Sequence, residues 1–208
     1  MKNPAGHLRI LAAALAAAAL LSDCGGSGSY GGGSASSGVT YPAPVLGDLV
    51  ITEVMAQPAG SSPATKEWFE VLNTSSNTLQ LDGVVVTVNA TSTFTVPAGV
   101  LMPPAAYFVF ASSNNSADNA MLPVVNVNYG TALTLSNTNL TLSLSLGATT
   151  LDTVVFTTST SGKSLSLDPA VQDPTANDDV AANWCLSTTA YGDGTNQGTP
   201  GAAGATCP

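Results

Sequence analysis

Positive charge is what this chain has least of. Its 208 residues hold four Lys and Arg in total and one His, against 13 Asp and Glu, for a formal charge of −9. Lys2, His7 and Arg9 all fall at the N-terminus, so the chain beyond Arg9 keeps only Lys66 and Lys163 and contains neither arginine nor histidine. Two separated lysines cannot neutralise a run of phosphates, which excludes a nucleic-acid surface. Without an imidazole there is no Ser-His-Asp or Cys-His nucleophile and no histidine zinc site. Cys185 and Cys207 cannot complete a tetrahedral thiolate site by themselves. Long apolar runs are scarce too: the run at residues 10–21 is well short of the roughly 20 residues that cross a bilayer.

That run, preceded by Lys2 and Arg9, reads as a secretion signal over residues 1–23. It ends in Leu21-Ser22-Asp23-Cys24-Gly25-Gly26, which resembles the lipobox of bacterial lipoproteins. The resemblance implies that Cys24 becomes the acylated N-terminus and anchors the protein to a membrane. Asp23 departs from the small residue that the lipobox carries before its cysteine, and Gly25 is not the Asp that retains lipoproteins at the inner membrane. The expectation is therefore an exported outer-membrane lipoprotein, or a secreted form if Asp23 prevents lipidation. The processed chain, with two lysines against twelve acidic residues, would carry a charge of −10. Once Cys24 is used for lipid, Cys185 and Cys207 are left to pair, and the cross-link would restrict the unfolded chain by about 3 kcal/mol. The alternative is that both stay reduced. Residues 24–46 are rich in Gly and Ser and read as a flexible tether, with a mean reach of about 25 Å.

Beyond the tether the pattern has period two. Residues 48–55 (DLVITEVM) form a first strand closed by Pro58, and residues 67–72 (EWFEVL) place Trp68, Glu70 and Leu72 on one face and Glu67, Phe69 and Val71 on the other. Leu79, Leu81 and residues 84–88 continue as strand around Gly83, which allows a bulge. Residues 94–96 and 107–110 follow, and Leu133 and Leu135 open a further apolar segment. Leu140, Leu142, Leu144 and Leu146 alternate with Thr and Ser, and Gly147 turns that strand into residues 151–156 as a hairpin. Residues 163–167 are the last candidate. Short strands, Gly, Pro and Asn punctuation and no helical periodicity after the signal predict an antiparallel sandwich.

The same stretches resemble the lamin tail domain (LTD) of exported bacterial proteins. The match rests on Glu53, Glu67, Trp68, Glu70, Asn73, Leu81, Gly83, residues 97–99, Leu101, Pro103, Tyr107, Asp152, Val154, Trp184 and residues 198–201, taken in order. Val84 stands where the family commonly has tryptophan. The resemblance implies an all-β, immunoglobulin-like antiparallel β-sandwich over residues 47–168, with a loop-rich, disulfide-closed segment at residues 169–208. The family's link to chromatin in eukaryotes does not carry over to so acidic a chain.

Glu53, Glu67 and Glu70 could be imagined as paired hydrolytic carboxylates. Alternation along strands separates neighbours onto opposite faces, and the expected role is structural, accepting backbone or Trp N–H groups. Asp173, Asp178, Asp179 and Asp193, with Asp168 and Asn177, are weak oxygen-ligand candidates for calcium, without EF-hand spacing. The Asn-x-Ser/Thr sequons at Asn73, Asn89, Asn114 and Asn139 mean little in a bacterial lipoprotein. The expected protein is a monomeric, non-enzymatic, lipid-anchored envelope module that binds a protein or glycan and needs no cofactor. The alternatives are a secreted accessory module of an extracellular enzyme system and a weak calcium-binding adhesion domain.

Overall fold

The computed structural model describes residues 39–178 and 180–208. The signal, Cys24, most of the tether and Asp179 lie outside the described residues. Fourteen strands run in chain order: β1 (Leu49–Met55), β2 (Trp68–Asn73), β3 (Leu79–Gln80), β4 (Val85–Val88), β5 (Ser92–Thr95), β6 (Leu101–Met102), β7 (Tyr107–Ala111), β8 (Val127–Asn128), β9 (Thr138–Leu146), β10 (Thr149–Thr158), β11 (Leu165–Leu167), β12 (Trp184–Leu186), β13 (Ala190–Tyr191) and β14 (Asn196–Gln197). Short 3-10 turns at Pro63–Lys66, Pro169–Val171 and Ala176–Asp178 and a one-turn helix α1 (Val180–Asn183) complete the described elements.

A six-stranded sheet in the order β12-β11-β1-β2-β7-β8 packs on a four-stranded sheet in the order β10-β9-β4-β5. All pairs are antiparallel except β7 with β8, which run parallel. The chain is an all-β, immunoglobulin-like β-sandwich. In β9, Leu140, Leu142 and Leu144 point into the core while Thr141, Ser143 and Ser145 face outward, as the alternation of the sequence dictates. Gly147, at φ +58°, makes the tight turn into β10. Between the sheets Phe69 stacks on Phe110 at 4.8 Å, surrounded by Ile51, Val71, Val86, Leu142 and Val154. Each such aromatic removes ~150–250 Å² from water, which makes this stack a large share of what drives the two sheets together.

The six-stranded sheet is covered on its outer face as well. All seven residues of β1 and all six of β2 are buried. A second cluster of Met55, Trp68, Val109, Ala111, Ala120, Leu122 and Tyr191 fills that face. Its cover comes from the loop after β7 and from the C-terminal chain.

The expected break after residue 168 is therefore not a break in the fold. Residues 39–208 form one compact unit, β12 is an edge strand of the main sheet, and Cys185 in β12 is joined to Cys207, with Cα atoms 5.6 Å apart. The tether, too, ends earlier than residue 46: Pro44 is buried and the Pro42 carbonyl accepts from Gln80 N at 2.9 Å. Leu133 and Leu135 are buried in the core from a loop rather than from a strand, because a side chain and not a ladder satisfies the Leu135 N–H. No helix among the described residues is long and apolar enough to cross a membrane.

Candidate functional site

Four buried carboxylates organise the molecule, and two of them meet. Along β1 the register shifts between Ile51 and Glu53, so Thr52 is an extra residue and Glu53 lies opposite Glu70 of β2. A bulge turns both of its residues toward one side. Thr52 and Glu53 consequently share the outer face with Glu70, and the separation expected from strict alternation holds for Glu67 against Glu70 but not for Glu53 against Glu70.

The pair holds the C-terminal chain. Thr199 donates its N–H to Glu53 Oε1 at 2.9 Å and to Oε2 at 3.1 Å, and its hydroxyl to Oε2 at 2.8 Å. Ser164 Oγ donates to Glu53 Oε1 as well. Glu70 accepts Thr52 Oγ1 at 2.8 Å on Oε1 and Gly201 N at 2.6 Å on Oε2. Burial is the main cause that raises Glu53 to about 7, against the donors that lower it. Burial, and then the charge of Glu53, raise Glu70 to about 8. The pair therefore keeps one proton near neutral pH, with the charge favoured on Glu53, which has more donors. Gly198 is required here: a Cβ would come within 2.8 Å of the Trp68 ring, 3.1 Å of Glu53 Oε1 and 3.2 Å of Ser164 Oγ. Trp68 itself donates Nε1–H to the Tyr191 hydroxyl at 2.9 Å and meets that ring edge-on.

Glu67 works on the opposite side. Its Oε2 accepts Leu135 N at 2.8 Å, its carbonyl accepts the Tyr129 hydroxyl at 3.0 Å, and burial raises the carboxyl to about 7. Asp152 sits at a second bulge, in β10, where the register shifts between Thr150 and Asp152. Its Oδ2 accepts Ile51 N at 2.6 Å and Asn177 Nδ2 at 2.7 Å, and its Oδ1 accepts Thr153 N at 2.7 Å. Burial raises it to about 6 despite these donors. Asn177 in turn accepts the Trp184 indole N–H on its carbonyl at 2.8 Å. Backbone N–H groups are thus partners of the three glutamates, as expected, and of Asp152 as well, whereas both indole N–H groups go elsewhere.

The calcium candidates are not brought together. Asp173 Oδ1 accepts from Thr175 N and Ala176 N within its own turn, Asp193 Oδ1 accepts from Thr195 N, and Asp178 lines an open cavity of about 240 Å³ beside Asp152. Asp168 divides its carboxylate between Ala170 N and Cys207 N, and Asp179 lies outside the described residues. No group of three or more His, Cys, Asp or Glu among the described residues could hold a metal ion. Asn73, singled out by sequence, donates Nδ2–H to the carbonyls of Asn77, Met102 and Pro103 at 2.9–3.0 Å and accepts Ser75 N on Oδ1, closing the turn after β2. Asn177 and Ser164 carry as much of this network as any glutamate. Sequence reasoning passes over Ser164 and takes Asn177 only for a calcium candidate, since their partners on β1 come near only once the chain folds: Glu53 is 111 residues from Ser164 and Ile51 is 126 from Asn177.

A two-sheet sandwich whose buried acids accept from its own backbone defines an immunoglobulin-like module. A family model described as Lamin Tail Domain matches residues 42–181, and the chain belongs to that family of immunoglobulin-like, generally non-catalytic domains. No curated protein matches the chain. No solved structure matches it either.

Proposed function

We propose that this lamin tail domain is a lipid-anchored display module of the bacterial cell envelope, held off the outer membrane by its Gly/Ser tether and acting by binding or scaffolding rather than by chemistry. The observation that carries this reading is that Glu53, Glu67 and Glu70 are buried and accept from the chain's own N–H and O–H groups; Asp152 borders the open cavity but is likewise buried and accepts from Ile51 N, Thr153 N and Asn177 Nδ2. A hydrolytic carboxylate must instead face a cleft where substrate and water can reach it. The surface is then the working part, with a protein or glycan as partner, and the sequence around Cys24 supplies the address.

The test is the intact mass of the full-length protein recovered from its host, together with detergent partitioning. A mass increased by acyl chains, and partitioning lost in Cys24→Ser, support the anchor. An unacylated protein in the medium would overturn the anchored reading and place the module among secreted proteins.

A further inference from the structure

The C-terminal chain covering the outer face of the main sheet is held by few means. Residues 198–207 contain no helix or strand, and residues 201–203 and 205–206 are exposed, so beyond the buried Pro200 apolar burial does little to keep them in place. Their attachments are Gly198 N on the Thr189 carbonyl at 2.7 Å, Thr199 on Glu53, Gly201 N on Glu70, Cys207 N on Asp168 at 3.0 Å, and the disulfide to Cys185. Gly204 lies directly on Ser166, where a Cβ would overlap the hydroxyl. Segments with few buried contacts open locally at low cost. Removing this one would bring water to both glutamates, since it supplies the lid over them.

We propose that residues 198–207 form a proton-operated strap: the Glu53–Glu70 pair latches it while the pair holds a proton, and releases it as a disulfide-tethered loop once both carboxylates are charged. Two facing carboxylates cannot both ionise cheaply out of water. The groups that face the pair do not relieve this. From the β13–β14 hairpin come Tyr191, whose ionisation Glu53 and Asp193 both oppose, and Asp193 itself; residues 198–206 bring no titratable side chain. No cation is among the causes acting on either glutamate. In the closed strap the two groups titrate at about 7 and about 8, against 4.5 for a free glutamate. Their folded values are raised, so the latch is complete below about 4.5, weakens as pH rises, and is lost through about 8, above which nothing further titrates in the pair. On release, the disulfide keeps Cys207 beside β12, so the strap can return without a search.

The experiment is amide hydrogen exchange of the intact, oxidised protein from pH 5 to pH 9, with rates normalised for intrinsic exchange. Protection of the Thr199 and Gly201 amides should fall by well over tenfold per pH unit up to about 7, because opening releases protons from both glutamates, and level off above about 8, while amides in β9 and β10 stay protected. In Glu70→Gln, which keeps an oxygen for Gly201 N but removes one charge, the strap's fall should shrink to about tenfold per pH unit and end near 7, where Glu53 alone titrates. A flat wild-type profile, a loss of protection in β9 and β10 in step with the strap, or an unchanged pH dependence in Glu70→Gln would each overturn the proposal. If that variant does not fold, the wild-type profile alone decides between local release and no release.

Discussion

The two sheets of this sandwich handle burial in different ways. The four-stranded sheet buries one face and leaves a Thr and Ser surface on the other: Thr87, Ser143 and Thr153 form one half-buried, outward-facing cross-strand row. The six-stranded sheet is buried twice, by the opposing sheet on its inner face and by loop and strap on its outer one. The outer face carries Glu53 and Glu70 beside its own apolar cluster, and where the strap crosses the two carboxylates it is closed by hydrogen bonds. Aliphatic packing is additive and indifferent to pH. A face closed on carboxylates is specific about which chain segment it accepts, and its strength follows the proton concentration.

The comparison can be attacked first where the sheets meet. Phe69→Ala removes the ring stacked on Phe110 and should destabilise by about 3–5 kcal/mol in urea unfolding. A loss below ~1 kcal/mol would mean the inner face is not the dominant core. Next comes the closure of the outer face. Cys185→Ser with Cys207→Ser opens a cross-link of sequence separation 22 and should cost about 3 kcal/mol, with exchange increasing first in residues 198–207. Uniform exchange increases would instead tie the disulfide to the whole sandwich.

Gly198→Ala drives a methyl into Trp68 and Glu53, and a loss of roughly 1–3 kcal/mol is expected, with a change in Trp68 fluorescence. Unchanged emission would show that the strap yields without disturbing the ring. For Glu67, raised by burial to about 7, stability falls as pH climbs from about 4.5 through about 7; Glu67→Gln should flatten that part of the profile while leaving the strap's own pH dependence intact. Thermal denaturation at several pH values reads both. The smallest effect belongs to the solvated face: Ser143→Ala should stay within about 0.5 kcal/mol of the parent. A larger loss there would mean that the outward row of the four-stranded sheet is not simply hydrated.

Much of the architecture is legible residue by residue. The leucines of β9 alternate with hydroxyl residues over a long enough run that only one face can be buried, and the strand appears where the alternation does. β1, β2, β7 and β10 are legible instead as short runs rich in β-branched and aromatic residues bounded by turn signals. Less legible are β8, β12, β13 and β14, of two or three residues each, because so short a strand has no period to display. Residues 133–135 show the opposite error: an apolar pattern that reads as strand but is a buried loop, its Leu135 N–H satisfied by Glu67 across 68 positions.

By itself, the sequence determined the sandwich. Beyond its first nine residues the chain has two lysines and neither arginine nor histidine, which leaves no imidazole for a site, and its longest period-two runs punctuated by Gly and Pro became strands. What the tertiary structure alone decided is the partnership of the carboxylates. Alternation assigns faces only while the register is unbroken, and a single bulge at Thr52 moved Glu53 to the side of Glu70. Nothing local announces that bulge, because it is stabilised by donors 111 and 146 residues away, in Ser164 and Thr199, which reach Glu53 only after the sheet has formed.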